Sequence, residues 1–151
     1  SFLYLFFICT FGMQLNKSNC RTLHSPALAI FQDKTLKTRT LMNLNDKKFM
    51  TTENKSGLSS DETIFHYSQS GTTITGKYKG GSIIEGLIIG KQTQDSKIEL
   101  LYQCLTIEGE LKAGESKGKI SETQNGKLKL EFDWNWLNGD LSGGKSAYIE
   151  I

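Results

Sequence analysis

The segment from Lys127 to Trp136, KLKLEFDWNW, constrains this chain more than any other. Leu128, Leu130, Phe132, Trp134 and Trp136 fall on one side, and Lys127, Lys129, Glu131, Asp133 and Asn135 on the other. A helix turns by about 100° per residue and would scatter these side chains around its circumference. A strand sends successive side chains to opposite faces, so strict alternation describes an antiparallel strand with one wet and one buried face.

The same period recurs through residues 42–151, separated by short turn signals. Strands are expected at Lys47–Thr52, Glu62–Gln69, Thr72–Lys79, Ser82–Lys91, Lys97–Ile107, Glu110–Ile120, Lys127–Trp136 and Lys145–Ile151. Between them lie Ser70-Gly71, Gly80-Gly81, Glu108-Gly109, Asn125-Gly126 and Asn138-Gly139. Asn-Gly is the strongest short hairpin signal, because both residues tolerate the positive φ of a tight turn. Gly86 and Gly90 sit inside a strand at the parity of Ile84 and Ile88, the mark of a bulge, a bend or another element lying close. No stretch of twelve residues in 42–151 carries a 3.6-residue period. Eight short strands joined by tight turns predict an all-β fold, a single antiparallel up-and-down barrel, because closure removes the exposed edges of an open sheet. A two-sheet sandwich is the alternative.

Residues 1–41 differ in chemistry. They hold Lys17, Arg21, Lys34, Lys37 and Arg39 against Asp33 alone, a balance of 5 − 1 = +4. The remaining 110 residues hold thirteen lysines, no arginine and fifteen acids, 13 − 15 = −2. The total of +2 is therefore an average of two unlike parts, too small to argue for nucleic acid. Ser1 to Met13 is an apolar run, SFLYLFFICTFGM, too short to span a bilayer as a helix, so no stable membrane insertion is expected. It reads as a leader outside the fold: a truncated signal peptide, an appendage, or translated sequence upstream of a start at Met42. The last is preferred because strand patterning begins just beyond Met42. A start there predicts a cytoplasmic protein; a genuine apolar leader predicts export.

Candidate functional residues are few. His66 and Cys104 are the single histidine and single cysteine of residues 42–151, so no metal site of ordinary nitrogen and sulfur ligation is expected. Cys9, Cys20 and Cys104 are too scattered for a disulfide scaffold. Cys104 reads as a small buried hydrophobe. Trp134 and Trp136 share an apolar face and would either pack a core or line a cavity, where indoles stack on a flat or apolar ligand. Tyr102 shares parity with Ile98, Leu100 and Cys104 and would turn its hydroxyl into such a cavity; Tyr78 is a further candidate. Glu85 is either the one acid among Ile83, Leu87 and Ile89 on a buried face, or a solvated residue opposite Ile84, Gly86 and Ile88. His66 is a candidate general base or ligand contact. The expected function is non-catalytic binding of a small apolar or aromatic molecule, with no cofactor, through Tyr78, Tyr102, Trp134, Trp136, Glu85 and His66. A cavity of several hundred cubic ångströms lined by Trp and Tyr is what that reading expects. The alternatives are an enzyme on the same barrel using Glu85 or His66, and an interaction protein with no ligand.

Five stretches carry a resemblance. They are Ser60 to Tyr67 (SDETIFHY), Tyr78 to Gly90 (YKGGSIIEGLIIG), Ile98 to Tyr102 (IELLY), Gly109-Glu110-Leu111, and Trp134 to Gly144 (WNWLNGDLSGG). Together they resemble a family of small bacterial proteins that carry the label N-acetylglutamate synthase, which implies a lipocalin-like β-barrel. The residues themselves point away from acetyl transfer. The Gln/Arg-x-x-Gly-x-Gly/Ala signature is absent, and residues 42–151 offer neither an arginine nor a helix N-terminus to cradle a pyrophosphate.

Overall fold

A computed structural model describes residues 41–94 and 96–151. The readings made of residues 1–40, as leader, signal or upstream translation, lie outside the described residues. The described chain forms eight strands: β1 (Lys47–Asn54), β2 (Ile64–Ser70), β3 (Thr73–Gly80), β4 (Ile83–Gln94), β5 (Lys97–Thr106), β6 (Leu111–Glu122), β7 (Leu128–Trp136) and β8 (Gly143–Glu150). No helix forms among the described residues, so none is long and apolar enough to cross a membrane.

Each strand pairs antiparallel with the next, and β8 returns to pair with β1, closing an up-and-down barrel. That last ladder, Phe49 opposite Glu150 through Asn54 opposite Ser146, excludes the two-sheet sandwich. The tight turns fall where expected: Gly71, Gly81, Gly109, Gly126 and Gly139 all have positive φ, a conformation free of penalty only without a Cβ. The main departure in strand length is β4, which runs three residues beyond Lys91 because Lys91 and Gln92 continue the ladder with Glu99 and Ile98.

The glycines inside strands have a packing cause. Tyr78 lies directly opposite Gly86, Tyr102 opposite Gly114, Phe132 opposite Gly118 and Trp134 opposite Gly144. A Cβ at Gly86 or Gly114 would overlap the ring of Tyr78 or Tyr102, and one at Gly144 would sit 2.9 Å from the Trp134 indole. Each ring therefore lies over a bare stretch of neighbouring backbone, flat along the barrel wall. Without these glycines the rings would stand into the lumen.

The core divides the lumen into two halves. Toward the β2–β3 turn it is solid: Phe49, Ile74, Ile98 and Leu130 are buried there, and Leu44, ahead of β1, folds in as a plug. The Leu44 N–H donates to Gln69 Oε1 at 2.8 Å, and Gln69 Nε2 donates to Gln92 Oε1 at 3.1 Å, so the plug is tied to β2 and β4. Thus the amides buried at this end find partners, as buried polar groups must. The other half, toward the β1–β2 loop, is the part left unfilled.

Candidate functional site

Inward positions of β2, β3, β5, β7 and β8 supply an aromatic wall because alternation places every second residue in the lumen. Phe65 and Tyr78 stack at 4.9 Å between ring centroids and 13° between planes. Tyr148 meets Phe65 and Phe132 edge-on at 4.8 and 5.9 Å. Trp136 meets Tyr102 at 5.4 Å and Trp134 at 5.6 Å, both edge-on. Edge-to-face contacts align the positive ring edge with the negative face, which holds the rings in fixed orientations. Tyr78 and Tyr102 also donate their hydroxyls to the backbone carbonyls of Gln103 and Asn135, at 3.2 and 3.4 Å.

These rings bound a cavity of about 60 Å³, with Gly57, Leu58 and Ser59 of the β1–β2 loop completing its wall. At about 10–15 Å³ per water, that is room for a handful of water molecules. It falls well below the several hundred cubic ångströms expected from the sequence, because the side chains that make the wall aromatic also occupy most of the lumen.

The electrostatics are those of a neutral chamber. Burial pushes the hydroxyls of Tyr67, Tyr78, Tyr102 and Tyr148 above the ordinary tyrosine range, with neighbouring Tyr and Cys104 groups adding to the effect for the first three. Burial likewise pushes the Cys104 thiol up, against the opposing influence of the neighbouring Tyr78 hydroxyl and the charge of Lys112. No Lys, Arg, His, Asp or Glu lines the cavity. Among the described residues no cluster of three or more His, Cys, Asp or Glu side chains is placed to hold a metal ion.

Four of the six residues singled out in the sequence meet in this chamber: Tyr78, Tyr102, Trp134 and Trp136. The other two do not: both stand on the outer wall. Glu85 is exposed, because β4 turns Gly86 and Ile88 inward, and a bulge opposite Thr106 and Leu105 brings Ile83 inward too. Its face, shared with Leu87 and Ile89, is the outside of the barrel. His66 also points outward, between the buried Phe65 and Tyr67. Its Nε2 lies 2.7 Å from Asp46 Oδ1, but this histidine–carboxylate pair is solvated on the outer wall. The lining residues that sequence reading passed over are Asn54, Ser116, Ser146 and Tyr148, together with Phe65 and Tyr67. One signal was available for Tyr67, which lies opposite Gly76: a strand glycine implies a large ring on the neighbouring strand. The polar ones carry no such mark.

An eight-stranded closed antiparallel barrel with an aromatic lumen and one plugged end defines the class, a small up-and-down β-barrel. The comparisons specify the class. The family model described as avidin-like protein matches residues 42–151, and the chain belongs to that family. The crystal structure of apo shwanavidin shares the fold, with a TM-score of 0.52, 9% sequence identity, and coverage of 74% of this chain and 99% of that one. No curated protein matches the chain. Neither comparison points to N-acetylglutamate synthase, so the family expected from the sequence is corrected to avidin-like. The physical reason agrees: the described residues contain no helix terminus, and residues 42–151 no arginine, to hold a pyrophosphate.

Proposed function

We propose that the barrel binds a small neutral molecule in its lumen and does not transform it. The observation that carries this reading is the conjunction of an aromatic wall, a lumen filled at one end only, and the absence of any charged side chain from the lining. An ionised ligand would lose its hydration there without gaining a counter-charge. A cavity of about 60 Å³ admits only the slim end of a ligand, a single ring or a short alkyl segment. The remainder of a larger molecule would lie at the β1–β2 loop.

The chain has two tryptophans, and both line the cavity, so intrinsic fluorescence reports on the lumen alone. The full-length chain would be titrated with toluene, phenol, indole, short-chain alcohols and biotin, alongside native mass spectrometry of protein purified from cells. A saturable shift in tryptophan emission with at least one compound, or a retained small molecule, supports the reading. No shift with any compound and no retained mass would overturn it.

A second reading, an interaction role, is favoured by one observation on the outer wall. Leu87, Ile89 and Leu101 lie exposed side by side, rimmed by Lys77, Lys91, Glu85 and Glu99. Charges of both signs around an apolar centre suit a two-fold pairing of like surfaces. Sedimentation equilibrium of the wild type against Ile89→Lys tests it: an assembly that the substitution dissociates supports this reading, and a monomer at all concentrations rejects it.

A further inference from the structure

The outer wall carries a groove of about 780 Å³, separate from the lumen. Strand register accounts for what lines it. His66 lies opposite Lys77, Lys77 opposite Leu87, Leu87 opposite Gln103, and Gln103 opposite Ala113. The Leu137 N–H donates to the Ala113 carbonyl at 2.8 Å and carries the row to Leu137, just past β7. Residues directly opposite across antiparallel strands share a face, so this row crosses the sheet as one outward band. Ile89 and Leu101, opposite each other on β4 and β5, widen its apolar part.

Charge is confined to one end of the band. Lys48, opposite His66 in the β1–β2 ladder, brings a second lysine to the end that holds Lys77. Neither lysine forms an ion pair among the described residues, and no Asp or Glu lines the groove. Of the acids at its edges, Asp46 is engaged by His66 at 2.7 Å and Glu99 by Lys91 at 3.4 Å, while Glu85 stands two residues from Leu87 on β4. From β4 onward the band is apolar except for Gln103. Leu87, Ile89, Leu101 and Leu137 are between 44% and 58% exposed, a large apolar area to leave in water.

Two uncompensated ammonium groups at one end of an exposed apolar bed match an amphiphile with an anionic head. From Lys77 on β3 to Leu137 the band crosses four strand spacings, about 19 Å, the reach of an extended long-chain carboxylate. We infer that this groove binds a long-chain carboxylate, with its head between Lys48 and Lys77 and its chain laid across β4, β5 and β6 toward Leu137. The site is independent of the luminal reading, because the cavity lining holds no charge to receive a carboxylate. A second copy of the chain is the competing occupant of the same face.

The test is calorimetric titration of the full-length protein with laurate and dodecyltrimethylammonium, both below their micellar concentrations, and with acetate. Laurate is expected to bind at least tenfold more tightly than the cation of equal chain length or the anion without a chain. Affinity should rise from octanoate to laurate by up to about fourfold per methylene, the worth of burying each one. Lys77→Glu should weaken laurate about fivefold, and Leu101→Ser should weaken it comparably, with tryptophan emission unchanged by laurate throughout. Equal affinity for laurate and dodecyltrimethylammonium, or laurate binding untouched by Lys77→Glu, overturns the proposal. So does a protein that ignores laurate, and sedimentation then tells whether a second copy covers the face or water does.

Discussion

Substituting Gly86 by alanine tests the idea that the luminal rings lie flat only because the neighbouring strand is bare. The backbone at Gly86 is not in the left-handed region, so an alanine there is free of conformational strain and the effect is steric. Its Cβ would overlap three atoms of the Tyr78 ring. Either the strands part or the ring moves, and forced overpacking costs about 1–3 kcal/mol. A displaced ring also loses the bond from its hydroxyl to Gln103, about 1 kcal/mol, and its stack on Phe65, about 0.5–1.5 kcal/mol. Against this, alanine in a strand is about 0.5–1 kcal/mol better than glycine. The expected net loss is about 2–4 kcal/mol, a fall of roughly 1–2 M in urea midpoint at an m-value near 2 kcal/mol/M. The decisive measurement adds the same substitution to Tyr78→Ala. With the ring gone the clash is gone, and Gly86→Ala should become neutral or stabilising by about 0.5–1 kcal/mol. A cost below about 0.5 kcal/mol in the wild type, or an equal cost in both backgrounds, would show that the glycine is not there for the ring.

Other consequences follow from the plug, the tyrosines and the closing ladder. Leu44→Ala should cost about 2–5 kcal/mol in chemical denaturation, since Leu44 is fully buried in the closed end. The hydroxyls of Tyr67, Tyr78 and Tyr148 titrate above their ordinary value of 10.0 because burial disfavours the phenolate. Their contribution is intact below pH 10 and declines as the pH rises beyond it, by up to about 4 kcal/mol per unit for three such groups. The tyrosinate absorbance of these three groups should therefore appear in one cooperative step together with loss of the fold, and their gradual ionisation in a folded barrel would contradict the burial argument. Glu150 is partly desolvated, which raises its pKa, but the Lys47 ion pair and the Leu128 N–H, 2.8 Å from Oε2, outweigh that and hold the carboxyl below its ordinary value. The stabilisation is present above pH 4.5 and is lost as the pH falls below it. Glu150→Gln should remove about 1 kcal/mol at neutral pH and flatten the acid limb of a stability–pH curve; an unchanged acid limb would assign that slope to other carboxylates.

Much of this molecule is local and was therefore readable in the chain. Alternation at KLKLEFDWNW reports which side of a strand is buried, because the side-chain period of two is a property of the backbone alone. Asn125-Gly126 and Asn138-Gly139 mark turns for an equally local reason, the freedom of glycine at positive φ. Those two rules were enough for eight strands, an up-and-down order, and the placement of Tyr102, Trp134 and Trp136 in the lumen. Glu85 and His66 were not decidable in this way. Both strands carry apolar residues on each face, and Glu85 is separated from Ile83 by a bulge that breaks the parity count. Which face turns inward depends on the strands alongside, where Tyr78 needs Gly86 beneath it and not Glu85.

The meeting of Asn54 with Ser146 and the cavity size belong wholly to the tertiary structure. Asn54 and Ser146 stand 92 positions apart, and only the β1–β8 ladder that closes the barrel sets them face to face. The room left beside them is a small difference between a barrel's lumen and the volume of its rings, a quantity summed over all eight strands. Pattern along the chain determined the strands and their wet and dry sides; closure determined what the dry side encloses.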